Sequence, residues 1–185
     1  MAGMAPDGAI SLTTTSFPLR PFLPADTMGL RDLFAQSIEE LTQDDYDEGQ
    51  RLAWIEQAED AEAFAKRLGA ATTLIVSVGG EVMGFASLSK DNKVLDMLYV
   101  HPHHSRQGVG SALFDAMEKI AAARGAEALS VDASEMAVLF FEARGYAPTQ
   151  RNSIPVGEEW LTNTTMTKQL KGAAGTKPAG PPRQT

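Results

Sequence analysis

Residues 94–113 read VLDMLYVHPHHSRQGVGSAL and carry the most information about the architecture. Their first part is apolar and β-rich, and it predicts a strand over Lys93–Val100. Gly108 and Gly110 follow, and apolar residues at helical spacing begin after Ser111. Where a strand passes through glycines into a helix, the first N–H groups of the helix lack helical partners and bind anions. The stretch therefore predicts a phosphate-binding turn.

Two better-defined phosphate motifs are excluded at this turn. A dinucleotide fingerprint would need a third glycine where Leu113 stands, and a P-loop would need a Gly-Lys-Ser/Thr run. Paired glycines also occur at strand–helix turns for steric reasons alone. By themselves, the glycines leave both a phosphate site and a purely structural turn open.

Further strands and helices are predicted on both sides of this stretch. β-rich segments predict strands over residues 14–22, 72–78, 81–89, 128–132, 146–151 and 161–168. Apolar residues spaced three and four apart predict several helices. One follows an N-cap at Asp26, one carries Leu52 and Ile55, and one ends at Gly69. Two more span residues 111–124 and 134–144. Strand, helix and strand around residues 94–132 indicate a parallel pair with a crossover connection.

Composition limits the class of protein. A chain of 185 residues fits one domain, which we predict over residues 13–170, with disordered ends at 1–12 and at the Gly/Ala/Pro-rich 171–185. The absence of cysteine excludes disulfides and thiolate metal sites. A net charge of −8 argues against nucleic acid and membrane partners, and no apolar segment is long enough for a bilayer span. We expect a cytoplasmic monomer or homodimer.

Two motifs resemble those of the GCN5-related N-acetyltransferases (GNAT). Residues 94–113 are similar to the central motif of that family, and Phe140–Tyr146, which reads FFEARGY, is similar to its Phe-Tyr-x-x-x-Gly-Phe helix end. The order of elements is similar over most of the chain. The resemblance implies a mixed α+β fold, in which a twisted sheet of about seven strands is flanked by about four helices. It also implies that a parallel strand pair splays apart to form an acyl-CoA cleft.

The resemblance implies where acetyl-CoA, the expected cosubstrate, would bind. Leu98 and Val100, with Tyr99 between them, would offer backbone groups to the pantetheine, the thioester and the oxyanion. Phe141 would lie against the pantetheine. The residues that would surround the pyrophosphate are Arg106, Gln107, Gly108, Val109, Gly110 and Ser111. Ser105 departs from the Gln or Arg that is usual there, and we expect its two C-terminal neighbours to supply the lost contacts.

Transfer from a thioester to an amine needs a proton acceptor, because an alkyl ammonium has a pKa near ~10. The family commonly uses an acidic residue on the strand before the loop. One such position is Val94 here, and Asp96, two residues along on the same strand face, is our first choice for the base or amine anchor. A solvated or capping carboxylate is the equally weighted alternative. Phe141 replaces the usual tyrosine acid, which leaves Tyr99, Tyr146 or water to protonate the thiolate.

The acceptor is predicted to be a primary amine of a small molecule, in contact with Tyr46, Trp54 and Trp160, although plain core positions would also suit these aromatic residues. We expect no metal, since the His101-x-His103-His104 run has no carboxylate or cysteine at ligand spacing. Two other functions stay open. One is a catalytically silent acyl-CoA-binding module or sensor, favoured by the missing family side chains. The other is an enzyme that acetylates protein N-termini or lysines.

Overall fold

A computed structural model of the chain describes residues 17–170, which form a seven-stranded sheet with helices on both faces. The strands are β1 (Leu19–Pro21), β2 (Thr72–Val78), β3 (Glu81–Leu88), β4 (Val94–Val100), β5 (Ala128–Ala133), β6 (Ala147–Val156) and β7 (Glu159–Gln169). The helices are α1 (Thr27–Leu41), α2 (Glu48–Glu56), α3 (Ala61–Ala70), α4 (Val109–Ala123) and α5 (Val138–Glu142). The predictions for residues 1–12, for 171–185 and for the start of the first strand lie outside the described residues. Over that described range, no helix has the length and apolar character to cross a bilayer.

The strands are ordered β1-β2-β3-β4-β5-β7-β6 across the sheet. Strands β2, β3 and β4 form a meander, and Gly79 and Gly80 form the turn of its first hairpin with φ values of +60° and +89°. β4 and β5 pair in parallel, and α4 makes the crossover between them. The mixed α+β fold with one parallel pair, predicted from the sequence, is confirmed.

An apolar layer lies on each face of the sheet. On one face, α4 buries Leu113, Phe114 and Met117 against the central strands. On the other face, α1 and α3 bury Leu30 and Phe64 in a second cluster. Burial of one such side chain stabilises the fold by roughly 1.5–3 kcal/mol. The two layers hold the helices firmly on either side of β4, the strand that precedes the glycine turn.

Several element ends differ from the sequence-based prediction. The side chain of Asp26 does not cap α1; its carboxylate instead accepts hydrogen bonds from Arg20 and from Leu23 N, both at 2.8 Å. Gly69 lies inside α3 and does not end it, because the helix runs one residue further. The helix predicted over 134–144 is a 3-10 turn followed by the short α5.

The late hairpin is longer than predicted. β6 and β7 pair along the whole of β6, whereas the sequence indicated strands over 146–151 and 161–168. Most side chains of β6 are exposed, and Pro148 and Pro155 interrupt its pattern, so its period-two signal is weak. The additional residues bring the hairpin into contact with α2, where they help to enclose the candidate site.

Candidate active site

The parallel strands β4 and β5 pair over two residues and then separate. Val94 pairs with Ser130 and Leu95 with Val131. Beyond these positions, β4 stays paired with β3 while β5 stays paired with β7. The sheet therefore opens into a gap at the C-terminal ends of its two parallel strands, which is the splayed arrangement that the family resemblance implies.

Backbone groups of β4 point into this gap. His101 N donates a hydrogen bond to Met83 O at 2.9 Å, so the backbone groups of His101 face β3. Every second residue of an antiparallel strand exchanges its bonds with one neighbour, so Tyr99 also faces β3. The N–H and C=O groups of Leu98 and Val100 consequently point toward β5, at the level where β5 has moved away.

A β-bulge interrupts β4 at the start of the gap. Leu88 of β3 lies opposite Leu95, and the preceding residue, Ser87, lies opposite Met97, so that Asp96 is the extra residue. A regular strand would place Asp96 and Met97 on opposite faces, yet both line one cavity. Bulges redirect side chains in this way, and they are frequent beside active sites.

The turn between β4 and α4 ends at Gly108, which has a φ of +93°, a conformation that favours glycine. The carbonyl of Gly108 accepts the first helical hydrogen bond, from Ala112 N at 3.0 Å. The N–H groups of Val109, Gly110 and Ser111 therefore have no acceptor one turn earlier in the helix. They carry the positive end of the helix dipole and suit a phosphate group.

A guanidinium lies beside this first turn of α4. Arg144 donates a hydrogen bond to the Ser111 hydroxyl and another to Phe140 O at 3.1 Å. Its Cζ lies 3.6 Å from the centre of the Phe140 ring. These contacts hold a positive charge close to the anion-binding turn. Sequence reasoning missed Arg144, because nothing in the local pattern connects it with a residue 33 positions earlier.

A cavity of about 200 Å³ lies on the sheet face that α1 and α3 cover. Its wall is rich in aromatic side chains: Phe34, Tyr46, Trp54 and Tyr99. The charged side chains that line it are Arg67, Asp96 and Asp132. The cavity therefore combines an apolar aromatic wall with an excess of one negative charge, which favours a cationic occupant.

Both carboxylate oxygens of Asp96 are engaged by one guanidinium. Arg67 Nε and Nη2 each donate to Asp96 at 3.0 Å, which makes a bidentate ion pair. The pair is partly exposed, with 33% of the Asp96 side chain and 45% of the Arg67 side chain accessible to solvent. Neither oxygen of Asp96 is therefore without a hydrogen-bond partner. The sequence did not indicate Arg67, which comes from α3, 29 positions before Asp96.

Tyr99 is enclosed by other aromatic rings. Its ring centre lies 4.6 Å from that of Phe34 and 5.6 Å from that of Phe85. Burial raises the pKa of the Tyr99 hydroxyl well above its usual value, and a hydrogen bond with the Trp54 side chain partly offsets this effect. The hydroxyl therefore keeps its proton throughout the neutral range and can act as a donor.

The chain matches the family model of the GNAT acetyltransferase domain over residues 42–170. The chain belongs to the GNAT acetyltransferase family. It is thus an acyl-CoA-dependent acetyltransferase. A GNAT crystal structure, the GCN5-related N-acetyltransferase from Rhodopseudomonas palustris, is 48% identical in sequence, with a TM-score of 0.82 over 85% of this chain and 98% of that one.

Two further relatives are similar to the chain. The uncharacterized N-acetyltransferase YafP of Escherichia coli K12 is 27% identical over 145 residues, which are 78% of this chain and 91% of the relative. The PaiA N-acetyltransferase from Thermoplasma acidophilum, in complex with coenzyme A, is 19% identical with a TM-score of 0.70, and the match covers 84% of this chain and 99% of that one. At this lower identity, the likeness shows the shared fold.

The GNAT site residues predicted from the sequence are brought together only in part. Tyr46 and Trp54 line the same cavity as Asp96 and Tyr99. Trp160 lies outside that cavity, with 60% of its surface exposed to solvent. Trp160 was predicted to contact the acceptor because it lies on the late hairpin. Neighbouring side chains of a strand, however, point to opposite faces of the sheet.

Phe141 occupies the position of the usual GNAT tyrosine and differs from its prediction. Its side chain is only 2% exposed and packs edge-on against Phe114 and Tyr146 in the core. The neighbouring Phe140 is only partly buried, and the Arg144 guanidinium lies over its ring. The expected contact between Phe141 and pantetheine is therefore replaced by a core position.

The histidine run that follows β4 is engaged in local contacts. His103 N donates to His101 Nδ1 at 3.2 Å, and His104 Nε2 lies 2.9 Å from Glu81 Oε1. Within residues 17–170, no three His, Cys, Asp or Glu side chains are grouped so as to hold a metal ion. The His104–Glu81 contact connects the loop that follows β4 to the first residue of β3.

Proposed function

We propose that this acetyltransferase moves an acetyl group from acetyl-CoA to the primary amine of a small molecule, by direct attack in a ternary complex. The observation that carries the proposal is the gap between β4 and β5. It lies between the anion-binding turn of α4 and the aromatic, acidic cavity. A thioester held in the gap would meet an amine held in the cavity, which supplies the proximity that such a transfer needs.

The described residues suit acetyl-CoA as the cosubstrate. The free N–H groups at the start of α4 would bind the diphosphate, and the exposed Arg106 and Gln107 would add polar contacts. Arg144 would contribute a further positive charge beside Ser111. The backbone of β4 in the gap would pair with the amide groups of the pantetheine in place of β5. The solved structure of the PaiA relative with coenzyme A is consistent with this proposal.

The same backbone groups would assist the chemistry. The neutral acceptor nitrogen forms the new C–N bond at the thioester carbon, and the C–S bond breaks. Negative charge develops meanwhile on the carbonyl oxygen. The N–H of Leu98 or Val100, both directed into the gap, would donate a hydrogen bond to this oxygen. A donor that is fixed in the sheet needs no rearrangement as the charge develops, which is why the backbone is suited to the task.

Tyr99 is proposed as the acid that protonates the departing thiolate. It lines the cavity, and because its pKa is raised, it would give its proton to the sulfur only as it receives one from the acceptor nitrogen. Tyr146, the other tyrosine considered from the sequence, has its hydroxyl 3.3 Å from Glu118 Oε2 and lies in the core beneath α4. Both residues carry the same phenol group, but only Tyr99 lines the cavity.

Tyr99→Phe is expected to lower kcat by about tenfold to hundredfold, since one proton donor is lost. The effect should be modest for an acid, because a thiol has a pKa near ~8.5 and its anion leaves with little help. The affinity for acetyl-CoA, measured by calorimetry, should stay unchanged. Tyr146→Phe is the matched control and should retain its turnover. Equal losses in both variants would contradict the role of Tyr99.

The size and charge of the cavity favour a small amine as the acceptor. A space of about 200 Å³ accommodates a small molecule or the end of one side chain. Its aromatic wall and carboxylates suit an ammonium group on an apolar body. Asp96, paired with Arg67, would form part of the cavity wall beside this ammonium.

The proposal is tested by thiol release from acetyl-CoA with a panel of primary amines, short basic peptides and buffer alone. We expect release with aromatic or apolar primary amines, well above the rate with buffer. Binding of acetyl-CoA without turnover on any acceptor would favour the silent module. Faster turnover on peptides than on every free amine would favour the protein acetyltransferase.

A further inference from the structure

Asp132 of β5 faces the same cavity as Asp96 and was not indicated by the sequence. Leu95 and Val131 are the last paired residues of β4 and β5, and both pack in the cluster beneath α4. In a parallel pair, the next residue of each strand turns to the opposite face. Asp96 and Asp132 are these next residues, and both line the cavity at the mouth of the gap.

The two carboxylates differ in their partners. Both oxygens of Asp96 accept hydrogen bonds from Arg67. Asp132 accepts one hydrogen bond, at Oδ1, from the Thr165 hydroxyl at 2.6 Å. Among residues 17–170, Oδ2 of Asp132 has no hydrogen-bond or ion-pair partner. One carboxylate is therefore paired with a guanidinium, whereas the other, within residues 17–170, has no cationic partner and one oxygen free.

A chain of hydrogen bonds fixes the direction of Asp132. Asn152 Nδ2 donates to Thr165 Oγ1 and to Asn163 Oδ1, each at 2.8 Å. The Thr165 hydroxyl in turn donates a hydrogen bond to Asp132, so the network determines the orientation of this hydroxyl. The three polar residues lie on the paired strands β6 and β7, a rigid support for a carboxylate that must stay in one place.

We propose that Asp132 is the residue that binds the ammonium group of the acceptor and receives its proton. Asp96 and Arg67, joined by their ion pair, form the adjacent part of the cavity wall. The inference rests on the proposed function and names the acceptor class as a primary ammonium carried by an aromatic or apolar body. Such a body would lie against Tyr46, Trp54 and Phe34, and no anionic group is required on it.

The proton balance of the transfer follows from this assignment. The ammonium gives one proton to Asp132, and the neutral nitrogen forms its bond to the acetyl carbon. The second proton leaves this nitrogen as the amide forms, and it reaches the departing sulfur by way of the Tyr99 hydroxyl. The products are the acetylated amine and the free thiol of coenzyme A. The proton on Asp132 passes to solvent through its exposed side of the cavity.

A binding experiment tests the assignment without turnover. The chain has two tryptophans, Trp54 in the cavity and Trp160 outside it, so Trp160→Phe leaves a single fluorescent reporter of the cavity. 2-Phenylethylammonium and its neutral analogue 2-phenylethanol are titrated against this background. We expect the ammonium to bind about tenfold more tightly than the alcohol. Asp132→Asn should remove this preference.

The controls for the titration separate the two carboxylates. Asp115→Asn changes the net charge equally at an exposed position on α4, and it should leave the charge preference intact. Asp96→Asn frees the Arg67 guanidinium into the cavity and should weaken ammonium binding less than Asp132→Asn does. The inference is overturned if Asp132→Asn retains the preference, or if Asp96→Asn is the variant that removes it.

Turnover separates failure of this inference from failure of the proposed function. With 2-phenylethylamine as acceptor, Asp132→Asn should lower kcat/KM by about hundredfold with acetyl-CoA affinity unchanged. Thr165→Val should lower kcat, and Thr165→Ser, which restores the hydroxyl, should recover most of it. Normal turnover by Asp132→Asn would refute the inference alone. No turnover by the unmodified protein on any amine would remove the proposed function, and this inference with it.

Discussion

Gly108→Glu is expected to lower the affinity for acetyl-CoA by about hundredfold or more. Gly108 has a φ of +93°, at which a side chain strains the backbone, and it precedes the free N–H groups of α4. A carboxylate there would also meet the diphosphate as a like charge. At about 5 Å and an effective dielectric constant near ~20, such repulsion is worth roughly 3 kcal/mol per pair of charges. Calorimetric titration with acetyl-CoA measures the loss.

The strain and the charge in this variant need a matched control. Gly80, in the β2–β3 turn, has a φ of +89° and is exposed, and a Cβ added to it would meet no atom within 4 Å. Gly80→Glu therefore carries the same backbone strain and the same added charge, far from the turn. It should cost similar stability while it leaves cofactor affinity intact. If Gly108→Glu folds and binds acetyl-CoA normally, the diphosphate lies elsewhere.

The sequence predicts the central part of this fold well, because the signals there are local. β2, β3 and β4 are continuous β-rich runs, and two glycines mark the turn between β2 and β3. The late hairpin was underestimated because β6 is largely exposed and contains two prolines, so no burial pattern marks its length. The bulge at Asp96 was also missed, since register depends on the partner strand and not on the strand alone.

The candidate site also has one part that the sequence predicts and one part that it does not. The glycine turn is contiguous in sequence, and its geometry at Gly108 could be anticipated. The cavity is assembled from separate elements: Arg67 approaches Asp96 from 29 positions away, and Thr165 approaches Asp132 from 33 positions away. Local periodicity contains no information on such encounters. They depend on the position at which β4 and β5 separate, which tertiary packing determines.

Gly84→Ala should destabilise the protein, because α4 packs directly on this glycine of β3. An added Cβ would lie 2.9 Å from Tyr99 O and 2.9 Å from Val109 Cγ1, with Leu113 Cδ1 at 3.1 Å. The first of these atoms belongs to the backbone of the paired strand and cannot turn aside. We expect the free energy of unfolding to fall by about 1–3 kcal/mol, measured by urea denaturation.

Gly29→Ala is the matched control, with the opposite sign. Gly29 lies in α1, is exposed, and would place its Cβ in open space. The substitution should raise the free energy of unfolding by about 0.4–1 kcal/mol, since it lowers the entropy of the unfolded chain. The contrast also bears on function. Val109 begins the anion-binding helix, so a methyl group that displaces it at Gly84 should weaken acetyl-CoA binding, whereas Gly29→Ala should not. Similar stability and affinity in the two variants would mean that α4 does not depend on close contact with β3 to present its first turn.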